Sequence, residues 1–158
     1  MEKISEHISY KEATRSNTAI RYGIENTPGT EEIKNMQRWA EKIFEPLRKW
    51  AGGAIRISSF YRSPELNKKV GGSPTSSHIK GEAGDIDDVF GYKTNAEMFE
   101  YIRTNLVFDQ LIWEFGDNNN PDWIHVSYRE FGNRCQVLRS VKYKNWMGQT
   151  KTKYIYFS

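Results

Sequence analysis

Two histidines, each with a carboxylate a few positions away, constrain the fold of this chain more than any other feature. His78 is followed by Asp85 seven positions later, and His125 is preceded by Asp122 three positions earlier. His7 is the one further histidine. Two imidazoles and one carboxylate are a common ligand set for catalytic zinc, with the fourth position left open for water. A fold that uses this set must bring residues about forty positions apart onto one surface.

Length and composition limit the class of protein. At 158 residues and 18.5 kDa the chain fits one small domain with its own hydrophobic core. The formal net charge of +3 is too small to indicate nucleic-acid binding. Cys135 is the only cysteine, so folding needs no oxidising compartment. No segment reads as a signal peptide or a membrane span. We therefore expect a monomer that is made in the cytoplasm.

The positive charge is concentrated at the C-terminal end. From Arg129 onward there are seven Lys or Arg residues and one acid, Glu130. Such a segment can bind an anionic polymer, although basic residues on a solvated face often have no such role. We divide the single domain into an N-terminal helical part at about 1–52, a catalytic core at about 53–128 and basic strands at about 129–158.

Helix signals dominate the first third of the chain. Apolar residues recur at three- and four-residue steps from Ile33 to Trp50, which predicts one long helix. Thr30 is placed to cap it, and Pro46 is expected to kink or shorten its last turn. Shorter helices are predicted after three further capping residues, Ser9, Ser63 and Thr94.

Strand signals dominate the rest of the chain. Strands are predicted at about 54–60, 83–89, 109–115, 123–128, 137–143 and 153–157. Because the connections are short, we expect antiparallel pairing, with the helices packed on the sheet. The sequence therefore predicts a small α+β domain.

The residues around the two histidines support a shared metal site. His78 follows a loop rich in Ser, Thr and Gly, so its ring is expected to face a cleft. If the segment after it is a strand, Asp85 lies on the same face as Asp87, and a carboxylate there is costly unless it is paired or bound to a metal. His125 lies in an apolar strand, where a structural core histidine is the ordinary explanation. The joint pattern favours His78, Asp85 and His125 as ligands.

Two carboxylates compete for the role of general base. Asp122 lies three residues before His125, which would place it on the opposite face of a regular strand. Pro121 indicates that the strand has not begun there, so the Asp122 side chain could turn toward the metal. Glu114, at the end of the preceding strand, could reach the same cleft. We favour Asp122 over Glu114. Arg62, between a strand and a helix cap, is the candidate for stabilising a developing oxyanion.

These residues resemble the zinc D-Ala-D-Ala carboxypeptidase and L-alanyl-D-glutamate peptidase family, which shares its fold with the hedgehog signalling domain. The matching positions are Tyr61-Arg62-Ser63, then Ser76 or Ser77 before His78 with Gly81 and Asp85, then Asp122-Trp123-Ile124-His125. The resemblance covers about residues 55–128, and Ser16 to Pro28 is similar to a subgroup found in phages. It implies zinc bound by His78, Asp85 and His125, with Arg62 supporting the transition state. Many members have Glu where this chain has Asp122, which keeps Glu114 open as the base.

The sequence therefore predicts a zinc peptidase that hydrolyses a bond in the stem peptide of peptidoglycan. The phage-like features favour an endolysin, released to act in the cell wall or periplasm, whose basic C-terminal part binds anionic wall polymers. One alternative is a bacterial D-Ala-D-Ala carboxypeptidase or dipeptidase used in wall remodelling. Another is a non-catalytic wall-binding domain of the same fold.

Overall fold

The computed structural model describes residues 1–158 and confirms an α+β fold. The helices are α1 (Tyr10–Thr14), α2 (Asn17–Tyr22), α3 (Thr30–Trp39), α4 (Glu45–Ala51), α5 (Pro64–Lys69) and α6 (Asn95–Asn105). The strands are β1 (Lys3–Ser5), β2 (Ile8–Ser9), β3 (Arg56–Ser59), β4 (Ala83–Asp87), β5 (Gln110–Glu114), β6 (Trp123–Ser127), β7 (Gln136–Lys144) and β8 (Thr150–Tyr156). None of the helices is long and apolar enough to cross a membrane.

The predicted long helix is interrupted in its middle. A π-helical turn, Ala40–Phe44, separates α3 from α4, and the Glu45 N–H donates to the Ala40 carbonyl, five residues back. Pro46 lies in the first turn of α4. Proline has no N–H to donate and its ring clashes with the carbonyl four residues before it, so the chain changes its hydrogen-bond spacing just ahead of this residue. The break thus comes earlier than the last-turn kink that the sequence suggested.

The capping predictions are largely confirmed. Ser9 and Ser63 accept hydrogen bonds from backbone N–H groups at the start of α1 and α5, and Thr94 forms a complete capping box with Glu97 at the start of α6. The prediction for Thr30 is wrong, because α3 begins at Thr30 itself and the cap position is occupied by Gly29, which has no side chain to offer. Glu31 and Glu32 still lie in the first turn, where carboxylates favour the helix dipole.

The main sheet has six strands in the order β3-β4-β6-β5-β7-β8. Every pair is antiparallel except β5 and β7, which run parallel, so the sheet is mixed rather than antiparallel throughout. β7 runs parallel to β5 because of the position where the chain leaves β6. The end of β6 lies beside the start of β5, so the chain enters β7 at that same end of the sheet. The Arg134 side chain donates two hydrogen bonds of 2.9 Å to Asp109 there. This bidentate pair fixes the loop, and β7 starts level with Gln110.

The helices pack on one face of this sheet and leave the other face open. Trp39 of α3 is fully buried, and its indole N–H donates to the Val126 carbonyl on β6 at 3.0 Å. Gly84 on β4 makes room for the Trp39 ring, since a Cβ at this position would collide with it. The core joins β1, β2, the helices α3, α4 and α6, and the strands β3, β4, β5 and β6. Side chains that alternate with these core residues therefore point into the open face.

The contact between Gly84 and Trp39 yields a stability prediction. Gly84→Ala overfills a packed layer and is expected to lower the free energy of unfolding by about 1–3 kcal/mol. Trp39→Phe alone is destabilising, because it removes the indole hydrogen bond. The double variant is expected to lose less than the sum of the single losses, since the smaller ring leaves space for the new methyl group. Urea unfolding of the four proteins measures this coupling, and strictly additive losses would contradict the packing account.

Candidate metal centre

Strand register brings the predicted ligands Asp85 and His125 together. Asp85 on β4 pairs with His125 on β6, and His125 pairs in turn with Ile112 on β5. Residues that pair directly across strands share a face of the sheet. Their neighbours along the strands, Ile86 and Ile124, point into the core. Asp85 and His125 therefore lie side by side on the open face.

His78 reaches the same place from a 3₁₀ turn, Ser77–Lys80, that precedes β4. The ring of His78 is buried, and its Nδ1 lies 2.7 Å from the Phe60 carbonyl oxygen. Because a carbonyl only accepts hydrogen bonds, Nδ1 must carry the proton, which leaves the lone pair of Nε2 free. That Nε2 atom lies 3.4 Å from Oδ2 of Asp85. The tautomer is thus fixed in the form that a metal ligand requires.

Tight packing at Gly81 sets the position of the His78 turn. Gly81 ends the 3₁₀ turn in the left-handed conformation, with a φ of 73°. A Cβ there would also meet the carbonyl of Glu32 and the side chain of Met36 on α3. Only glycine satisfies both the backbone conformation and the close approach. The Gly81 position of the sequence motif is explained by this contact.

The three side chains form a cluster suited to one metal ion. One donor atom from each of His78, Asp85 and His125 lies within 4.8 Å of the other two. His125 Nδ1 is 3.0 Å from Oδ1 of Asp85. Burial lowers the pKa of His78, which favours the uncharged imidazole. Burial alone would raise the pKa of Asp85, but the adjoining His78 and His125 outweigh it and hold the pKa far below its usual range.

The donor set and its protonation states fit zinc. Neutral imidazole and ionised carboxylate are the forms that bind a metal, and two histidines with one carboxylate leave a position free for a reactant. The nearby Asp87, which shares the face of Asp85, is instead bound to the Asn95 amide at 2.8 Å. Asp88 accepts from the Gly91 N–H. These two acids are therefore engaged elsewhere, and the cluster has a single carboxylate.

Arg62 lies at the rim of the cluster and is held in place by three side chains. Its Nε donates to Ser59 Oγ at 3.1 Å, and its Nη1 donates to Asn67 Oδ1 at 3.2 Å. Its Nη2 lies 3.5 Å from Oδ2 of Asp85. A guanidinium fixed in this way is ready to stabilise negative charge that develops beside the metal position.

Two asparagines without a predicted role fix the position of the Arg62 segment by hydrogen bonds. The buried Asn67 also donates to the Ser73 carbonyl, which ties α5 to the loop ahead of His78. Asn26 donates to the Tyr61 carbonyl at 3.1 Å and accepts from the Ser63 N–H at 2.7 Å. Asn26 lies in a loop and Asn67 lies within α5, and no local sequence signal identifies either residue, because polar residues at such positions are usually solvated.

Glu114 is the carboxylate that the fold brings to this cluster. It lies at the end of β5, is buried, and lines the same groove as the three predicted ligands. The Ser140 hydroxyl on β7 donates to its Oε2 at 2.6 Å. Burial raises the pKa of Glu114, and the Ser140 hydrogen bond only partly opposes this. A carboxylate with a raised pKa next to a metal position can accept and return a proton near neutral pH.

Asp122, which the sequence favoured as the base, lies outside the groove. Its side chain is exposed and lines a separate surface depression with Arg139 and Lys142. Its backbone N–H donates to the Glu114 carbonyl at 2.9 Å, and β6 begins at the next residue, Trp123. Asp122 does not line the groove that holds the three predicted ligands. Of the two carboxylates that the sequence offered, the structure therefore places Glu114 in the groove and Asp122 outside it.

The groove around the cluster has a volume of about 750 Å³. Its floor is the open face of the sheet, and one wall is the loop before His78, from Val70 to Ser77. The opposite wall consists of Leu138, Thr152 and Tyr154 from β7 and β8. A cavity of about 780 Å³ on the far side of Arg62, between β3 and the first two helices, holds none of the clustered ligands. The chemistry therefore belongs to the groove.

An α+β domain that presents this cluster, a buried glutamate and a fixed arginine in one groove has the site of a metal-dependent hydrolase. The family Peptidase M15 matches residues 6–127, which include all of these site residues, and the chain belongs to that family. Members of this family are zinc peptidases. No curated protein matches the chain significantly.

The cluster predicts a measurable response to zinc. Wild-type protein is expected to bind one zinc ion and to gain thermal stability with it, because a ligand that binds only the folded state shifts unfolding by mass action. His125→Ala is expected to lose both effects. His7→Ala is the matched control and is expected to keep both effects. His7 lies apart, 2.7 Å from Glu45, so this variant also tests the exposed group of Glu6, His7 and Glu45 as an alternative zinc site. Metal analysis after dialysis and melting curves with added zinc test this. Equal zinc in wild type and His125→Ala would contradict it.

Proposed function

We propose that this protein is a zinc-dependent peptidase that hydrolyses a peptide bond in the stem peptide of peptidoglycan. The proposal is carried by one observation: the cluster of His78, Asp85 and His125 opens into the same groove as the buried Glu114. When bound, zinc polarises a carbonyl group and lowers the pKa of a water molecule. The residues around the ion supply everything else that the reaction needs.

Glu114 is the proposed general base and acid. Its carboxylate accepts a proton from the attacking water and delivers that proton to the leaving amine nitrogen, so one group serves both steps. The Ser140 hydrogen bond holds the carboxylate in orientation for this transfer. Arg62 is positioned to donate hydrogen bonds to the oxyanion that forms on the former carbonyl oxygen.

An endolysin of a phage or prophage is the proposed biological role. The resemblance of Ser16 to Pro28 to phage members of the family supports it. The basic hairpin of β7 and β8, which has no acidic residue, is the proposed contact with anionic wall polymers.

Replacing the charges of its four lysines, Lys142, Lys144, Lys151 and Lys153, is then expected to remove the salt dependence of binding to whole walls. The products distinguish a remodelling carboxypeptidase, which releases free D-Ala or a dipeptide, from an endolysin, which opens crosslinked stems.

The choice between the two carboxylates is tested by isosteric substitutions. Glu114→Gln is expected to lower peptide release from purified peptidoglycan by at least about 100-fold while zinc stays bound, because general acid–base catalysis contributes about 10²–10⁴ in rate. Asp122→Asn is the matched control and is expected to keep near wild-type activity. New peptide ends are counted by mass spectrometry. The reverse pattern would return the role of base to Asp122. Full activity in both variants would favour a different mechanism altogether.

The hydrogen bond from Ser140 predicts a shift in the pH profile. Glu114 must be ionised to accept a proton, so kcat/KM falls as the pH drops through its pKa. Burial already raises that pKa above its usual range. Ser140→Ala removes a donor that stabilises the ionised form, so the pKa rises further and the acid limb moves to higher pH. Activity measured on soluble muropeptides from about pH 4 to 8 tests this, and an unchanged or lower limb would contradict it.

A further inference from the structure

The hairpin of β7 and β8 lies outside the part of the chain that matches the peptidase family. The match ends at residue 127, whereas β7 begins at Gln136 and β8 ends at Tyr156. Three side chains of this hairpin nevertheless form a wall of the catalytic groove: Leu138, Thr152 and Tyr154. This chain therefore completes its groove with residues that the family pattern does not describe.

Strand register places Tyr154 in line with the proposed base. Glu114 on β5 pairs with Ser140 on β7, and Ser140 pairs with Tyr154 on β8. Directly paired residues share a face, so the three side chains form one row across the open side of the sheet. Ser140, in the middle of this row, is fully buried and its hydroxyl donates a hydrogen bond to Glu114. The Tyr154 ring thus extends the row toward the solvent-exposed side of the groove.

The Tyr154 hydroxyl is available to a bound molecule. The residue keeps 58% of its surface exposed although it lines the groove. Burial, together with the nearby negative charges of Glu114 and Asp85, raises the pKa of Tyr154, and no hydrogen bond contributes to that shift. At neutral pH the phenol therefore keeps its proton and acts as a hydrogen-bond donor.

Thr152 occupies the next position on the same face. It pairs with Lys142, two residues along β7 from Ser140, and it also lines the groove. Tyr143 and Lys153 belong to the opposite face of the hairpin, where the Lys153 ammonium lies 5.3 Å from the centre of the Tyr143 ring. Only one face of the hairpin therefore borders the groove.

We propose that Tyr154 is a substrate-binding residue whose hydroxyl donates a hydrogen bond to a backbone carbonyl of the peptide in the groove. Thr152 and Leu138 form the rest of that contact, one polar and one apolar. An extended peptide lying along the floor of the sheet exposes a carbonyl every second residue to each side, which suits a donor fixed on one wall. This inference rests on the proposed function, since it assigns a further contact to the same substrate.

The test compares two tyrosines of the same hairpin. Tyr154→Phe is expected to lower kcat/KM on soluble muropeptides by about tenfold, the usual cost of one hydrogen bond in a binding site. Tyr143→Phe, on the opposite face, is expected to keep wild-type values. Zinc content and melting temperature are measured for both, and are expected to equal those of wild type. Unchanged kinetics in Tyr154→Phe, or an equal loss in Tyr143→Phe, would overturn the proposal.

A binding measurement separates this inference from the proposed function. Calorimetry of an uncleaved muropeptide with zinc-loaded Glu114→Gln protein is expected to show about tenfold weaker binding when Tyr154→Phe is added. If wild-type protein cleaved nothing, the peptidase assignment would be contradicted. The calorimetric comparison would still test whether Tyr154 contributes to muropeptide binding. Equal affinity of the single and double variants would overturn the role of Tyr154, whatever the kinetics show.

Discussion

The site depends on Asp85, a buried carboxylate on the open face of the sheet. Its two oxygens lie 3.0 Å from His125 Nδ1 and 3.4 Å from His78 Nε2, and Arg62 approaches to 3.5 Å. An ionised carboxylate is costly to bury unless charges and hydrogen bonds compensate for lost water. In this protein, the compensating groups come from the segment between β3 and α5, the 3₁₀ turn and β6, so the same charge that a metal would use also organises the three segments around it.

Local signals predicted much of this arrangement. The capping residues Ser63 and Thr94 mark helix starts correctly because a cap acts within one turn. The alternation around Asp85 and His125 predicts strands with one polar face, and the pairing of these two residues confirms it. Gly81 is interpretable after the fact: its positive φ and its contact with α3 explain why glycine stands there.

Features that depend on long-range register could not be predicted in this way. The pairing of β5 with β6 decides that Glu114 faces the groove, and no short window of sequence specifies that pairing. The parallel pairing of β7 depends on the loop that Arg134 and Asp109 fasten. Tyr154 gave no signal at all, because β8 is exposed along its length and its residues show no hydrophobic alternation.

The central claim is that the groove hydrolyses peptide bonds only when the cluster holds its metal. The most direct test removes zinc from wild-type protein with a chelator, returns it in equimolar amount, and counts new amino termini released from purified peptidoglycan at each stage. The account predicts release by the native protein, none after chelation, and recovery with zinc. Equal release by the native and metal-free protein would contradict it and leave Glu114 and Arg62 to act without a metal.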